Sequence, residues 1–127
     1  MERITTAGIA EKNGSYFIAL RKPGSSIGRK WEFPGGKKRD EESPQDALKR
    51  EFFEAFSLNI SVGNLICSAP FNNGDSKYIL KAYRIEILTE TIILKEHEEF
   101  KWADLDTIRD MDFAPSDKII IGCLEKI

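Results

Sequence analysis

Histidine and cysteine are scarce in this chain, and the scarcity removes several classes of function. One histidine, His97, and two cysteines, Cys67 and Cys123, do not make a zinc centre, and neither cysteine stands in a CxxC pair. The cysteines are far apart in sequence and read as two buried thiols in a reducing compartment, not as a disulfide staple. Basic charge is not in excess either. With 19 Lys and Arg against 21 Asp and Glu, the net charge is −2, so no nucleic-acid polymer is expected as partner and any phosphate contact has to be local. Long apolar runs are missing, and the opening MERITTAGIA carries charges at its second and third positions. Neither a signal peptide nor a membrane span is expected, which places the protein in the cytoplasm with no membrane partner. Repeats and low-complexity tracts are absent, and 127 residues suit a single domain over residues 1–127 with a core of its own.

What is present alternates between strand and helix signals. Residues 4–10 and 16–20 read as partner strands around Asn13-Gly14, a hairpin turn signal. Arg21 and Lys22 close the second strand, and a Gly- and Ser-containing connection over residues 23–28 follows. Trp31-Glu32-Phe33 is a short extended piece. Pro34-Gly35-Gly36 is expected to turn sharply, since glycine alone is free at positive φ. Ser43 then serves as N-cap, Pro44 as first helical residue and Asp46 as first-turn acid of a helix running to about Phe56. Ala47, Leu48, Phe52 and Phe56 form its buried stripe. Residues 60–68 and 78–88 read as two further strands, paired through the turn at residues 72–75. A charged segment over residues 96–101 leads into Trp102, and Ala103-Asp104-Leu105 opens a short helix. Pro115-Ser116 starts a last one with Ile120, Cys123, Leu124 and Ile127 facing inward, although Ile119-Ile120-Ile121 would also suit a strand.

The helix over residues 44–56 carries Glu51 and Glu54 three residues apart, on neighbouring parts of one face. Such carboxylates are commonly solvated and balanced by cations such as Lys49 and Arg50. Here they follow a Gly-Gly segment able to offer a backbone carbonyl, and hard oxygen ligands of this kind suit Mg²⁺ or Mn²⁺ and, through them, phosphate oxygens.

The stretch over residues 31–58 resembles the Nudix box, G-x5-E-x7-R-E-U-x-E-E-x-G-U, where U is a bulky apolar residue. It reads Gly36, five residues, Glu42, seven residues, then Arg50-Glu51-Phe52-Phe53-Glu54-Ala55-Phe56-Ser57-Leu58. The spacing holds throughout. Two positions depart from the pattern: Ser57 replaces the glycine that ends the helix, a modest loss, and Ala55 stands where the family has a second glutamate. That glutamate and Glu51 form the core of the family's metal site, so one oxygen ligand is missing. W-E-F-P-G-G-K over residues 31–37 is similar to the branch of small MutT-like nucleoside triphosphate pyrophosphohydrolases, and the resemblance covers nearly the whole chain.

The resemblance implies an α/β Nudix fold, a mixed sheet between helices. It implies metal binding by Glu51, Glu54, Glu96 and the Gly35 carbonyl, with the three glutamates also carrying the catalysis. Arg21 and Lys37 would contact phosphate, Phe33 would lie against the base, and Asp117, in F-A-P-S-D, would read the base edge. Gly36, Glu42 and Arg50 would be structural members of the box. His97 reads as a residue that holds its segment in place. The implied activity is Mg²⁺-dependent hydrolysis of a nucleoside triphosphate, of the 8-oxo-dGTP or the CTP and dCTP type, to monophosphate and pyrophosphate, by a monomer. Ala55 motivates the rival expectation, a weak or silent domain that binds a nucleotide as a sensor.

Overall fold

Local chemistry sets the first helix. The computed structural model describes residues 3–24 and 28–127, and in it α1 (Pro44–Phe56) starts where Ser43 Oγ accepts the Asp46 N–H at 3.0 Å. Pro44 sits in the first turn, where its missing N–H has no helical partner to lose. The helix ends at Ser57, whose φ of 56° is left-handed and whose N–H returns to the Phe52 and Phe53 carbonyls. Serine thus keeps the backbone shape that glycine usually provides there. Ala47, Leu48, Phe52, Ala55 and Phe56 make the buried stripe, so the expected face is correct and one residue wider.

The strands form two sheets. In the first, β1 (Arg3–Ile9) runs parallel to β6 (Ser76–Ile87), and β6 pairs antiparallel with β5 (Ile60–Asn73). The β5–β6 hairpin is the expected pair, with its turn at Gly74-Asp75 and with β5 longer than its apolar run suggested. Pro70 is tolerated within β5 because β5 is an edge strand. In the second sheet, β3 (Ser15–Arg21) has β7 (His97–Ala103) on one edge, and on the other the short strands β2 (Glu11–Lys12) and β4 (Trp31–Glu32).

Residues 4–10 and 16–20 are therefore not partners. The Asn13-Gly14 turn joins β2 to β3, while β1 pairs with β6. Thr6, Ala7, Gly8 and Ile9 are all buried, the pattern of a strand covered on both faces, and such strands favour a parallel partner inside the fold. Gly8 makes this cover close: a Cβ there would lie 2.7 Å from the Phe52 ring of α1.

α1 packs on one side of the sheets, in a cluster with Phe17, Leu58, Tyr83 and Ile85. α2 (Leu105–Arg109) and α3 (Pro115–Leu124) pack on the other side, where Ile108, Ile120 and Leu124 meet Ile18, Phe33 and Leu80. This is the expected α/β arrangement of mixed strands between helices. The Ile119-Ile120-Ile121 run is helical. Ile127 is 78% exposed and does not face inward. No described helix is long and apolar enough to cross a membrane.

The cysteines correct another expectation. Cys67 on β5 and Cys123 on α3 are joined as a disulfide, their Cα atoms 6.3 Å apart, inside the range a disulfide bridges. They are 56 positions apart in sequence, and it is the packing of α3 across β5 that brings them together.

Candidate active site

The Pro34–Lys38 segment lies along the free edge of β1. Thr6 N–H donates to the Gly36 carbonyl and Gly8 N–H to that of Pro34, both at 2.8 Å. In such an extended run the Gly35 carbonyl between them points the other way. Both glycines avoid positive φ, so the expected sharp turn is not the reason for them. The reason is close approach. A Cβ on Gly35 would lie 1.9 Å from the Thr6 carbonyl oxygen, and one on Gly36 would lie 2.4 Å from Cδ of Glu51.

Arg50 gathers the acids of the helix. Its Nε and Nη2 grip both oxygens of Glu42 at 2.6 and 2.9 Å, Nη2 reaches the Lys37 carbonyl at 3.1 Å, and Nη1 reaches Glu51 at 2.8 Å and Glu54 at 2.9 Å. These bonds and the Arg39 N–H hold the Glu42 carboxyl down to about 2, so Glu42 and Arg50 tie the loop before the helix to the helix itself. The Glu51 carboxyl is instead pushed up, mainly by burial, with the negative charges of Glu96 and Glu54 adding to it; Arg50 opposes the shift without cancelling it.

A cavity of about 550 Å³ opens between these parts. Arg21, Glu32, Gly35, Gly36, Lys37, Glu51, Ala55, Glu96 and His97 line it, with the Lys22–Gly24 segment and Pro34. Six of the expected site residues, Arg21, Gly35, Gly36, Lys37, Glu51 and Glu96, therefore converge. Glu54 does not line the cavity; its side chain is 43% exposed and tied to Arg50. Ala55 occupies the wall one turn beyond Glu51, only 4% exposed.

Phe33 and Asp117 lie in a smaller adjoining cavity of about 60 Å³ that shares Arg21, Glu32, Gly35 and Gly36 with the first. β4 sits between β3 and the segment before α3: Trp31 N–H donates to the Asp112 carbonyl at 2.9 Å and Ala114 N–H to that of Trp31 at 3.0 Å. That pairing brings the Phe33 N–H to Asp117 Oδ1 at 2.9 Å and the Phe33 ring against Phe113.

One part of the site was not expected. Glu32 and His97 are both buried; Glu32 accepts from Arg21 Nε through Oε1 and from His97 Nε2 through Oε2, each at 2.7 Å. The available signal was a lone carboxylate between Trp31 and Phe33, at a position an extended strand has to bury on one face or the other. His97 is held by Glu32 and by stacking on Phe56, and it opens β7 where a loop position was expected.

The donor set suits a hard cation of a particular kind. Among the described residues no three Asp, Glu, His or Cys side chains converge as a metal cage. Besides Glu32, which is engaged by Arg21 and His97, two carboxylates, Glu51 and Glu96, line one cavity and repel each other. Mg²⁺ commonly takes one or two carboxylates and completes its shell with waters and phosphate oxygens. The residues present fit that mode and do not fit an all-protein cage.

Asp117 supplies a pH test. Its carboxyl is pushed well up by burial and then by the neighbouring charge of Glu32, against the Phe33 N–H and Arg21. An unfolded aspartate titrates near about 3.9, so folding favours the protonated form. This contribution is complete below that value and is lost as pH rises through the folded value. Asp117→Asn keeps an acceptor for the Phe33 N–H and has no charge to bury. The variant should gain stability on the wild type as pH rises above about 4, by up to about 1.4 kcal/mol per pH unit until the folded value is passed. Denaturant melts across pH check this; parallel curves would mean that Asp117 ionises freely in the fold.

Comparison with known proteins gives this arrangement its relatives. Residues 5–122 match the family model of the NUDIX domain. The chain belongs to the Nudix hydrolase family. It is 30% identical over 124 residues to an 8-oxo-dGTP diphosphatase of Buchnera aphidicola subsp. Schizaphis graminum, covering 94% of this chain and 89% of that one. It is 29% identical over 111 residues to the CTP pyrophosphohydrolase of Escherichia coli K12, covering 87% and 82%. The solution structure of the E. coli ORF135 protein superposes with a TM-score of 0.88 at 26% identity, over 99% of this Nudix chain and 91% of that one. All three are bacterial proteins of similar length to this chain, and the fold expected from the box is the one that superposes on the ORF135 structure.

Proposed function

We propose that this Nudix hydrolase is a nucleoside triphosphate pyrophosphohydrolase that works with Mg²⁺, or with Mn²⁺ in its place, and releases a monophosphate and pyrophosphate. The observation that carries the reading is the charge arrangement of the large cavity. Arg21 and Lys37 line the same cavity as Glu51 and Glu96, with a smaller cavity walled by Phe33 and Asp117 next door. A polyphosphate needs cations along its length, a cation site needs carboxylates, and a base needs a separate niche. Relatives named for CTP and for 8-oxo-dGTP leave a pyrimidine or an oxidised purine as the substrate class, in one Nudix domain acting on a small molecule.

In this reading Glu51, Glu96 and the Gly35 carbonyl would hold Mg²⁺, with the negative charge of Glu54 beside them. When bound, the ion would neutralise phosphate oxygens and lower the pKa of a water. Arg21 and Lys37 bind and orient the phosphates, Arg21 through a planar fork suited to two oxygens. A glutamate not engaged in binding takes the proton from the attacking water. Phe33 packs against the base, and Asp117 meets its edge; a carboxyl there accepts when ionised and donates when protonated, and burial favours the protonated form. Gly36 gives the Glu51 side chain its room, and Glu42 and Arg50 hold the platform.

The test is pyrophosphate release from 8-oxo-dGTP, CTP and dCTP with Mg²⁺ and with Mn²⁺. Stoichiometric monophosphate and pyrophosphate from one of them is the expected result. A second reading rests on Ala55, which puts a methyl group where the box has a carboxylate: a domain that binds a nucleotide and releases it unchanged. A nucleotide-induced rise in melting temperature without turnover on any of the three would decide for it.

A further inference from the structure

Glu32 is buried between two cavity residues on different strands. Arg21 is the last residue of β3, and His97 the first of β7. Regular pairing would not place them opposite each other. The register runs Leu20 with Glu99 and then jumps to Arg21 with His97, skipping Glu98. The bulge turns Glu98 outward to Arg29, which it binds at 2.8 and 3.1 Å, and sets Arg21 and His97 across from each other. Bulges recur beside active sites, where they re-aim a side chain. Here the re-aimed pair meets one carboxylate, which spends one oxygen on each partner.

Both bonds have consequences for the cavity. With Nε taken by Glu32, the terminal nitrogens are what the Arg21 guanidinium has left for an anion, and its side chain keeps 31% of its exposure there. The imidazole stacks on Phe56 with ring centroids 5.0 Å apart, and among the described residues its Nδ1 has no hydrogen-bond partner. Glu32 is thus the polar contact that fixes His97. Glu96 is its immediate chain neighbour and lines the same cavity.

We infer that Glu32 is a positioning residue: it aims the phosphate-binding face of Arg21, with His97 holding its other oxygen so that the carboxylate keeps its place. The inference rests on the proposed phosphate role of Arg21. Glu32 itself touches no phosphate. Its effect has to pass through its partners, and that separates it from a carboxylate that merely supports the fold.

Binding of inorganic pyrophosphate with Mg²⁺, followed by calorimetry on the full chain, tests this without relying on turnover. Glu32→Gln should weaken binding about tenfold where Arg21 is present, the usual weight of a charge-assisted fork, and less than about twofold where Arg21→Gln has already removed the fork. His97→Gln, which keeps a donor for Glu32, should stay within about threefold of the wild type, while His97→Phe, which keeps only the stacking, should lose as much as Glu32→Gln. If Glu32→Gln does not fold, the His97 pair in the two Arg21 backgrounds gives the same comparison. Equal losses in both backgrounds would reduce Glu32 and His97 to structural support and overturn the inference. A loss on Arg21→Gln with none on Glu32→Gln would overturn it while leaving the phosphate role of Arg21 intact. No loss on Arg21→Gln would remove that role, and the inference with it.

Discussion

Ala55→Glu is expected to raise the rate of pyrophosphate release about 10- to 100-fold at limiting Mg²⁺ and to lower the Mg²⁺ needed for half-maximal rate about tenfold. The geometry favours the change. Ala55 is one turn beyond Glu51 on α1 and forms part of the wall of a cavity of about 550 Å³, so a longer side chain has space ahead of it. It would add a carboxylate to a cavity that Glu51 and Glu96 now supply. The cost falls on stability. Ala55 packs with Leu48, Phe52 and Phe56, and a half-buried charge among them should lower apo stability by about 1–3 kcal/mol. Mg²⁺ should restore much of that loss by binding the folded state. A metal titration of rate, with melts run with and without Mg²⁺, measures both effects. If neither the rate nor the metal requirement moves, the cation does not sit on this face of α1.

Glu51→Gln should lower kcat/KM by about 10²- to 10³-fold, some 3–4 kcal/mol of transition-state stabilisation. Glu51 lies against Gly36, accepts from Arg50, and lines the same cavity as Glu96. Glutamine fills the same space and still accepts from Arg50, so the fold should survive the exchange. What it lacks is the charge that a hard cation requires. Glu54→Gln serves as comparison: held by Arg50 outside the cavity lining, it should cost about tenfold or less. Equal losses at the two positions would mean that Glu54 swings inward during turnover and that the resting geometry understates its part.

The box was legible because its chemistry depends on sequence spacing. Ser43, Pro44 and the stripe of Phe52 and Phe56 obey helical rules that operate within a few residues, and the structure keeps them. The contrast with β1 is instructive. Its partner is decided by which faces are covered, and strand propensity in residues 4–10 says nothing about a parallel neighbour some seventy residues away, Thr5 opposite Leu80 for instance. The Gly35-Gly36 pair was recognised for the wrong reason, because a glycine needed for a neighbour's approach looks the same in sequence as one needed for positive φ. Glu32 stayed unremarked for a related cause: its two partners come from β3 and β7, and the bulge that aligns them leaves no mark that a period of two would reveal. Ala55 stood out in the sequence as a departure from the pattern. Only the structure adds that it forms cavity wall and that its neighbour Glu54 is turned aside.

The Cys67–Cys123 bridge divides the site by connectivity. A ring closed between positions 56 apart confines the unfolded chain by about 4 kcal/mol in the loop-entropy model. Glu96, His97 and Asp117 lie within that ring; Arg21, Glu32, Gly35 and Glu51 lie on the open arm before it. With the bridge in place, the unfolded protein keeps one half of the cavity tethered as a loop and the other half free. The cavity then comes into being as a docking event, in which β3, β4 and α1 of the arm close on β6, β7 and α3 of the ring.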